Sequence, residues 1–420
     1  MSDTISGTMS GDDFEKEIFF IKERAMMLSY SAKSLKARAD EETKGYGIRV
    51  FHNGGLGFSF ASSEKAMKQA ENDAMKVAKY SPRPNFSFPE KSRIPKVRTF
   101  DESVAEMSVG ELKEIFEQVR DGAEKYGENA QIDIAALSSE ERIENTIGFS
   151  GSYESSAISF TVQVMDGDGY GFYSNSFCRL KDAGDFRALG ESAAEMARQM
   201  RNPKKPDPGI CTVIFEPESL AELLDMLLSS FDGDSKRRKI SAIHDKLGKK
   251  VFSEKLSIYD DPLVPYSVSS SPFDDEGVAS ERRAIVENGT IKNFAYNLET
   301  ASLEGIKAGG FARRASYTSP PFIDFSNIVV GKGDLADSEA EDFIRVLSFH
   351  GSHTANITTG DFGVEVSIAF RRNEALRGFM ITGNIFNLFN DIYAIGKKQK
   401  NINGFIVPSV AFANVRIVPS

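Results

Sequence analysis

Leu220, Leu223, Leu224, Leu227, Leu228 and Phe231 recur at spacings of three and four residues, while Glu218, Glu222 and Asp225 fall between them. That period places the apolar residues on one stripe of a helix from Pro217 to Phe231, with Pro217 at a first helical position that needs no amide hydrogen. Cys211 to Phe215 is short, apolar and β-branched, and reads as a buried strand feeding that helix. Nearer the N-terminus, alternation broken by charge predicts strands over Glu17 to Tyr30 and Ser34 to Arg38. Ile48 to Phe51 and Leu56 to Phe60 flank Asn53-Gly54-Gly55, a hairpin signal because Asn and Gly tolerate positive φ. Ser62 or Ser63 caps a helix to about Lys79, with Met67, Ala70, Ala74, Val77 and Ala78 on its apolar face. Ser108 and Glu111 form a capping box ahead of Leu112, Ile115, Phe116, Val119 and Ala123, predicting a helix to about Tyr126.

Gln131 to Leu137, Arg142 to Asn145 and Ile158 to Met165 read as meander strands with a turn over Gly148 to Gly151, and a helix follows from Phe186 to Met200. Ser81 to Pro95, rich in Pro and Ser, is a loop; Pro203 to Gly209 (PKKPDPG) is the best domain boundary. Beyond it, Arg282 to Val286 and Ile291 to Tyr296 flank a second Asn-Gly turn at Asn288-Gly289. Strands are predicted at Asp324 to Val330, Val364 to Arg371, Gly378 to Ile381, Gly404 to Val407 and Ala411 to Val418, and helices at Asp337 to Leu347 and Ile385 to Phe389. Successive strands with segregated helices predict an α+β protein of two domains, an antiparallel sheet with packed helices over residues 1–205 and a strand-rich domain over 206–420.

Charge narrows the function classes. Fifty-one basic against 61 acidic residues leave −10, which repels nucleic acid and anionic membranes. The one basic run, Lys236 to Lys239, is short and reads as a solvated loop. Two cysteines, Cys178 and Cys211, make no disulfide framework, no stretch approaches membrane-spanning length, and Met1 to Asp13 has no secretory signal pattern, so a cytoplasmic protein is expected.

Four constellations could carry chemistry. His350 and His353 supply two imidazoles but no third metal ligand; His52 and His244 are isolated. Asp166 to Gly171 (DGDGYG) lacks the terminal Glu of a calcium loop and reads as a hairpin turn. Asp274-Asp275-Glu276 offers a general base or an acidic wall for a peptide amine, or else a turn held by Arg282 and Arg283. Gly309-Gly310 leads to Arg313-Arg314, able to bind a peptide carboxylate bidentately or to dock two domains through a salt bridge.

Gly233-Asp234, SSSPFDDEGVASERRAIVENGTI (Ser269 to Ile291), NITTGDFGVEVS (Asn356 to Ser367) and ITGNIFNLFNDI (Ile381 to Ile392) resemble the TldD/PmbA family, strongly over the last half and loosely over the first. The resemblance implies a cytosolic metallopeptidase component, a family also labelled modulators of DNA gyrase. In its zinc-bearing branch a helix carries His-Glu-x-x-x-His, and a late cysteine completes the site. Counted from Gly233-Asp234, Leu224 and Ser229 stand in place of the histidines and Asp225 in place of the glutamate, and no cysteine follows Cys211. The nearer likeness is therefore to the PmbA, or TldE, branch. It implies a non-catalytic subunit without a cofactor of its own, paired with a zinc-bearing TldD-like partner that cuts unfolded peptides. Asp274, Asp275, Glu276, Arg313 and Arg314 are then expected at the peptide cavity. From the resemblance, the helix that usually precedes the first strand in the family is expected to be missing here. A regulatory or scaffold protein, a peptidase with another site, and pairing between copies of this chain stay open.

Overall fold

The computed structural model describes residues 14–81, 85–126, 129–336, 342–351 and 356–420. The expected tail before residue 14, His353 and the start of the helix expected from Asp337 lie outside them.

The first half is one antiparallel sheet in the order β3-β2-β1-β4-β5-β6, built from β1 (Glu15–Ser31), β2 (Ser34–His52), β3 (Gly55–Ala61), β4 (Asn129–Asn145), β5 (Ser150–Asp166) and β6 (Gly169–Phe177). Its two faces have different partners. On β1, Phe20, Met26, Leu28 and Tyr30 pack under helices, whereas Phe19 and Ile21 join Ile143, Phe149, Tyr153 and Phe273 on the face turned toward the second half. Both faces are thus buried, which is why charged residues at single inward positions interrupt an otherwise regular alternation.

Helix α1 (Glu64–Ala78) covers β2 and β3, and after a short turn α2 (Glu102–Ala105), α3 (Val109–Ala123) and α4 (Phe186–Gln199) cover β4 to β6. Ser108 and Glu111 close the expected capping box. Ser63 holds the N-cap conformation without a side-chain cap bond, and Val77, placed by pattern on the buried face, is 48% exposed. The expected strands Gln131–Leu137 and Arg142–Asn145 are one continuous β4, because β1 and β5 pair with Ser138 to Glu141 on both sides and cross-strand bonding does not depend on side-chain polarity.

The second half holds β7 (Gly209–Phe215), α5 (Pro217–Leu228) ending in a tighter turn Ser229–Phe231, and α6 (Gly233–Arg237). Strands β8 (Ile258–Asp260), β9 (Arg283–Glu287) and β10 (Thr290–Ile291), helix α7 (Leu298–Glu304), and strands β11 (Ala312–Arg313), β12 (Phe322–Ile323) and β13 (Ile328–Val330) follow. The chain closes with β14 (Ile344–His350), β15 (Asp361–Arg371), β16 (Glu374–Leu376), β17 (Phe379–Asn384), α8 (Ile385–Asn390), β18 (Ile392–Ile402) and β19 (Phe405–Pro419). Strands β19, β17, β15, β14 and β7 pair in that order, and β7 pairs back onto β19, closing a ring. The stripe of α5 packs with Val213, Phe215, Val346, Val364, Val366, Ile381, Val410 and Phe412 from those strands.

Several expected elements differ. Residues 344–347, expected in a helix, are strand β14, which pairs parallel with β7 and antiparallel with β15; tertiary pairing overrides a weak helical pattern. The strands expected at Ile291–Tyr296 and Asp324–Val330 shrink to the few residues that find partners, and those at Gly404–Val407 and Ala411–Val418 merge into β19. Lys236 is no solvated loop residue: it pairs with Glu304 and lies over Phe294 and Tyr296.

Close approach fixes how α4 sits on the sheet. A Cβ on Gly171 would stand 1.9 Å from the Ala193 carbonyl oxygen, so only glycine lets the helix backbone seat there. Gly171→Ala is expected to destabilise the protein by about 1–3 kcal/mol through overpacking, read as a lower urea midpoint. An unchanged midpoint would contradict this seating of α4.

Candidate functional site

The two halves meet through a buried ion network. Glu17 on β1 and Arg49 on β2 are cross-strand partners, and both are almost inaccessible, at 0% and 3% exposure. Arg49 Nε and Nη2 donate to the two carboxylate oxygens of Glu17 at 2.9 and 2.6 Å, and its Nη1 donates to Glu276 Oε1 at 2.6 Å. Arg314 Nη2 donates to Glu17 Oε1 at 2.7 Å, while its backbone N–H donates to Asp275 Oδ2 at 2.6 Å. The second oxygen of Glu276 accepts from Leu298 N–H at 2.7 Å. Burial works against the Arg49 charge, but Glu17 and Glu276 outweigh it and hold its pKa above the ordinary value. Burial lowers Arg314 to about 10 against the opposing pull of Glu17, which leaves it protonated at neutral pH.

Each residue expected at a cavity from the sequence now has a place. Asp274 is fully buried and closes its own turn, Oδ1 accepting from Glu276 and Val278 N–H and Oδ2 from Ala312 N–H. Burial, then Glu276, pushes it up to about 7. Glu276 and Arg314 belong to the docking network. Arg282 and Arg283 do not hold this turn: Arg282 pairs with Asp261 and stacks on Tyr259, and Arg283 pairs with Glu281. Both Arg313 and Arg314 line a cavity, and Arg314 in addition docks the halves through Glu17.

That cavity, 420 Å³, lies between the inner face of the first sheet and the Ser269–Ser271 segment, and Asp275, Arg313, Glu141 and Tyr153 line it. Glu141 stands directly across from Tyr153 in the β4–β5 register and from Ile21 in the β1–β4 register. Tyr153 Oη donates to Glu141 Oε2 at 2.8 Å, and Ser139 Oγ to Oε1 at 3.4 Å. Burial pushes the Glu141 carboxyl up to about 7, with Asp275 adding to the effect. Arg313 donates to the Ala312 carbonyl at 3.0 Å; burial opposes its charge, but Asp275 and Asp274 outweigh that and raise its pKa. Glu17, Arg49, Glu141 and Tyr153 were not singled out from sequence, and their signal is slight: Arg49 alone breaks an apolar strand, and the others are ordinary members of alternating runs.

The helix positions aligned with the zinc motif do not fit a zinc ion. Leu224 is fully buried among the α5 stripe and offers no donor atom, and Ser229 turns its hydroxyl to the Met226 carbonyl at 2.6 Å. Asp225, exposed, is a single carboxylate, short of the three protein ligands that a catalytic zinc needs. His350 is exposed, His244 Nδ1 lies 2.9 Å from the Ser241 carbonyl oxygen, and His52 packs edge-on against Phe14. The DGDGYG run is the β5–β6 hairpin turn, as its spacing predicts. A larger groove of 780 Å³ between β6, α4 and the second sheet carries charges paired with one another, Arg345 with Glu216 and Lys400 with Glu218.

Family models match nearly the whole chain: PmbA/TldA metallopeptidase domain 1 over residues 17–78, the central domain over 102–201 and the C-terminal domain over 208–419. An uncharacterized protein of Methanocaldococcus jannaschii is 27% identical over 417 residues, covering 96% of each chain. In fold, the chain is similar to a putative modulator of DNA gyrase from Thermotoga maritima, with TM-score 0.88, 22% identity and 96% coverage of each chain. It is likewise similar to TldE from Thermococcus kodakarensis, with TM-score 0.86, 23% identity and 97% coverage of each.

Two predictions follow from the junction. Arg49→Met leaves Glu276 buried without a guanidinium and Glu17 with Arg314 alone, and is expected to cost about 3–5 kcal/mol, measured by denaturant unfolding; a loss under about 1 kcal/mol would contradict the network. Glu141 binds its proton more tightly folded than unfolded, so its contribution to stability is complete below the unfolded carboxyl range and is lost as pH rises through about 7. Glu141→Gln is therefore expected to gain stability relative to the parent chain between about pH 5 and pH 8, by roughly 1–3 kcal/mol in thermal unfolding, and a flat difference would contradict the burial of this carboxyl.

Proposed function

The chain belongs to the PmbA/TldD metallopeptidase family, and from that membership we propose that it is the non-catalytic, TldE-like subunit of a cytoplasmic peptide-processing complex. Its partner is a zinc-bearing subunit of the same family, and the substrate is an unfolded peptide that reaches the partner's zinc through a shared chamber. One observation carries this reading: where the zinc-bearing branch needs two imidazoles and a carboxylate on the helix, this chain has Leu224 built into its core, a lone Asp225 and a serine hydrogen-bonded to its own helix.

The reading also accounts for the burial of Leu224. A histidine there would replace an apolar contact in the ring-shaped core with an imidazole lacking partners, so the position serves stability. What the chain then contributes is a wall of the chamber and groups that hold the peptide, with chemistry left to the partner. An extended peptide suits such a division of labour because main-chain hydrogen bonds can hold it without side-chain pockets.

The test uses the purified full chain and a zinc-bearing, TldD-like member of the family. After chelation and gel filtration the chain alone is expected to hold no stoichiometric zinc and to leave unfolded peptides intact, while mixing the two gives a complex and turnover. One tightly held zinc per chain, with peptide cleavage by the isolated chain that stops on its removal, would overturn the reading.

A further inference from the structure

We propose that the 420 Å³ junction cavity is a binding site for a primary ammonium group, a peptide's free N-terminus or a lysine side chain, held by the carboxylates of Glu141 and Asp275 and the hydroxyl of Ser271. The site stands on the cavity's own residues; only the source of the amine rests on the peptide-processing function proposed above.

Charge balance decides the sign of the ligand. Around this junction five buried carboxyls, Glu17, Asp260, Asp274, Asp275 and Glu276, and the half-buried Glu141 meet three guanidiniums, the buried Arg49 and Arg314 and the half-buried Arg313. Burial, with like-charge neighbours adding to it, holds Glu141 and Asp274 at about 7, so part of the acidic excess is met by protons when no ligand is bound. An incoming anion would add to that excess, and Arg313, the one guanidinium lining the cavity outside the docking network, already answers to Asp275 and Asp274. A cation relieves it.

Acceptor geometry narrows the cation. Ser271 lines this cavity and is 5% exposed, and its buried hydroxyl has no hydrogen-bond partner among the described residues. Asp275 uses Oδ2 for the Arg314 amide, and its Oδ1 has no hydrogen bond among the described residues. Glu141 is fixed by Tyr153 and Ser139 on the opposite wall. Together these supply three acceptors, the number of N–H donors that an ammonium carries. Among the described residues no three His, Cys, Asp or Glu side chains gather as metal ligands, which sets a divalent ion aside. Phe19, Ile21, Phe322 and Phe325 supply apolar walls for the carbon attached to the amine, and the volume falls in the range of small-ligand sites.

Calorimetry on the isolated full chain at about pH 8, where Glu141 is ionised, tests the site with three probes. These are an alanine-phenylalanine tetrapeptide amide with a free N-terminus, its N-acetyl form, and an N-acetyl form carrying one lysine. The free-amine peptide is expected to bind about tenfold or more tightly than the acetylated one, and Glu141→Gln, checked for an intact unfolding transition, to lose that difference. Binding is also expected to weaken as pH falls through about 7, where Glu141, faced by Asp275, Tyr153, Ser139 and Arg313, takes up its proton. Equal binding by the lysine probe shows that the site takes an ammonium from either source and supports the site. The site is overturned if the acetylated lysine-free peptide binds as well as the free one, if Glu141→Gln changes nothing, or if no probe binds the folded chain. Amine-dependent binding without turnover in the mixed complex upholds the site and rejects the proposed function. Turnover with binding indifferent to acetylation does the reverse.

Discussion

The pairing of Arg49 with Glu17 and Glu276, joined by Arg314, is the constraint on which the arrangement of the two halves depends. Bringing these charges out of water costs several kcal/mol per ion, and only a geometry in which each finds its partner offsets that cost. The carboxylate of Glu17 takes both Arg49 and Arg314; that of Glu276 takes Arg49 and a helix N-terminal amide at Leu298. A rotation of one half against the other would leave several of these groups buried and unpaired at once. The network therefore selects one relative placement more sharply than the apolar contacts of Phe19, Phe149 and Phe273 beside it, which tolerate sliding.

That selection has a chemical consequence next door. The same turn that sends Glu276 into the network leaves Asp275 at the edge of a cavity, and of the two arginines that line this cavity Arg314 also reaches Glu17 in the network. The turn at Asp275-Glu276 and the strand end at Arg313-Arg314 each place one residue, Glu276 or Arg314, in the ion network and the other, Asp275 or Arg313, on the cavity, which Arg314 also lines. The cavity thus inherits a low-dielectric, carboxyl-rich wall from a contact whose first role is structural. Glu141 with its acidity weakened to about 7 is the visible result.

The helix α5 shows the opposite compromise. The resemblance to the zinc-bearing branch implies donors at three of its positions; here Asp225 and Ser229 are exposed and Leu224 is buried in the stripe from Leu220 to Phe231, which fills the ring of strands β19, β17, β15, β14 and β7 with apolar volume. At Leu224 packing and coordination compete for one position, and in this chain packing holds it.

Local rules were sufficient where the deciding interactions are local. The α5 stripe, the Ser108–Glu111 capping box and the Asn53-Gly54 and Asn288-Gly289 turns, all four turn residues at positive φ, are legible from the sequence because each depends on residues within a few positions of one another. The family motifs likewise pointed to Asp274–Glu276 and Arg313–Arg314 as a group. Which of them dock and which line a cavity was decided only in three dimensions, by a Glu17 and an Arg49 more than two hundred residues away whose charges look unremarkable in an alternating strand. The same holds for residues 344–347, strand rather than helix, and for the continuous β4 that carries Glu141. Strand pairing and buried charge are satisfied by partners distant in sequence, and no local pattern encodes which partner arrives.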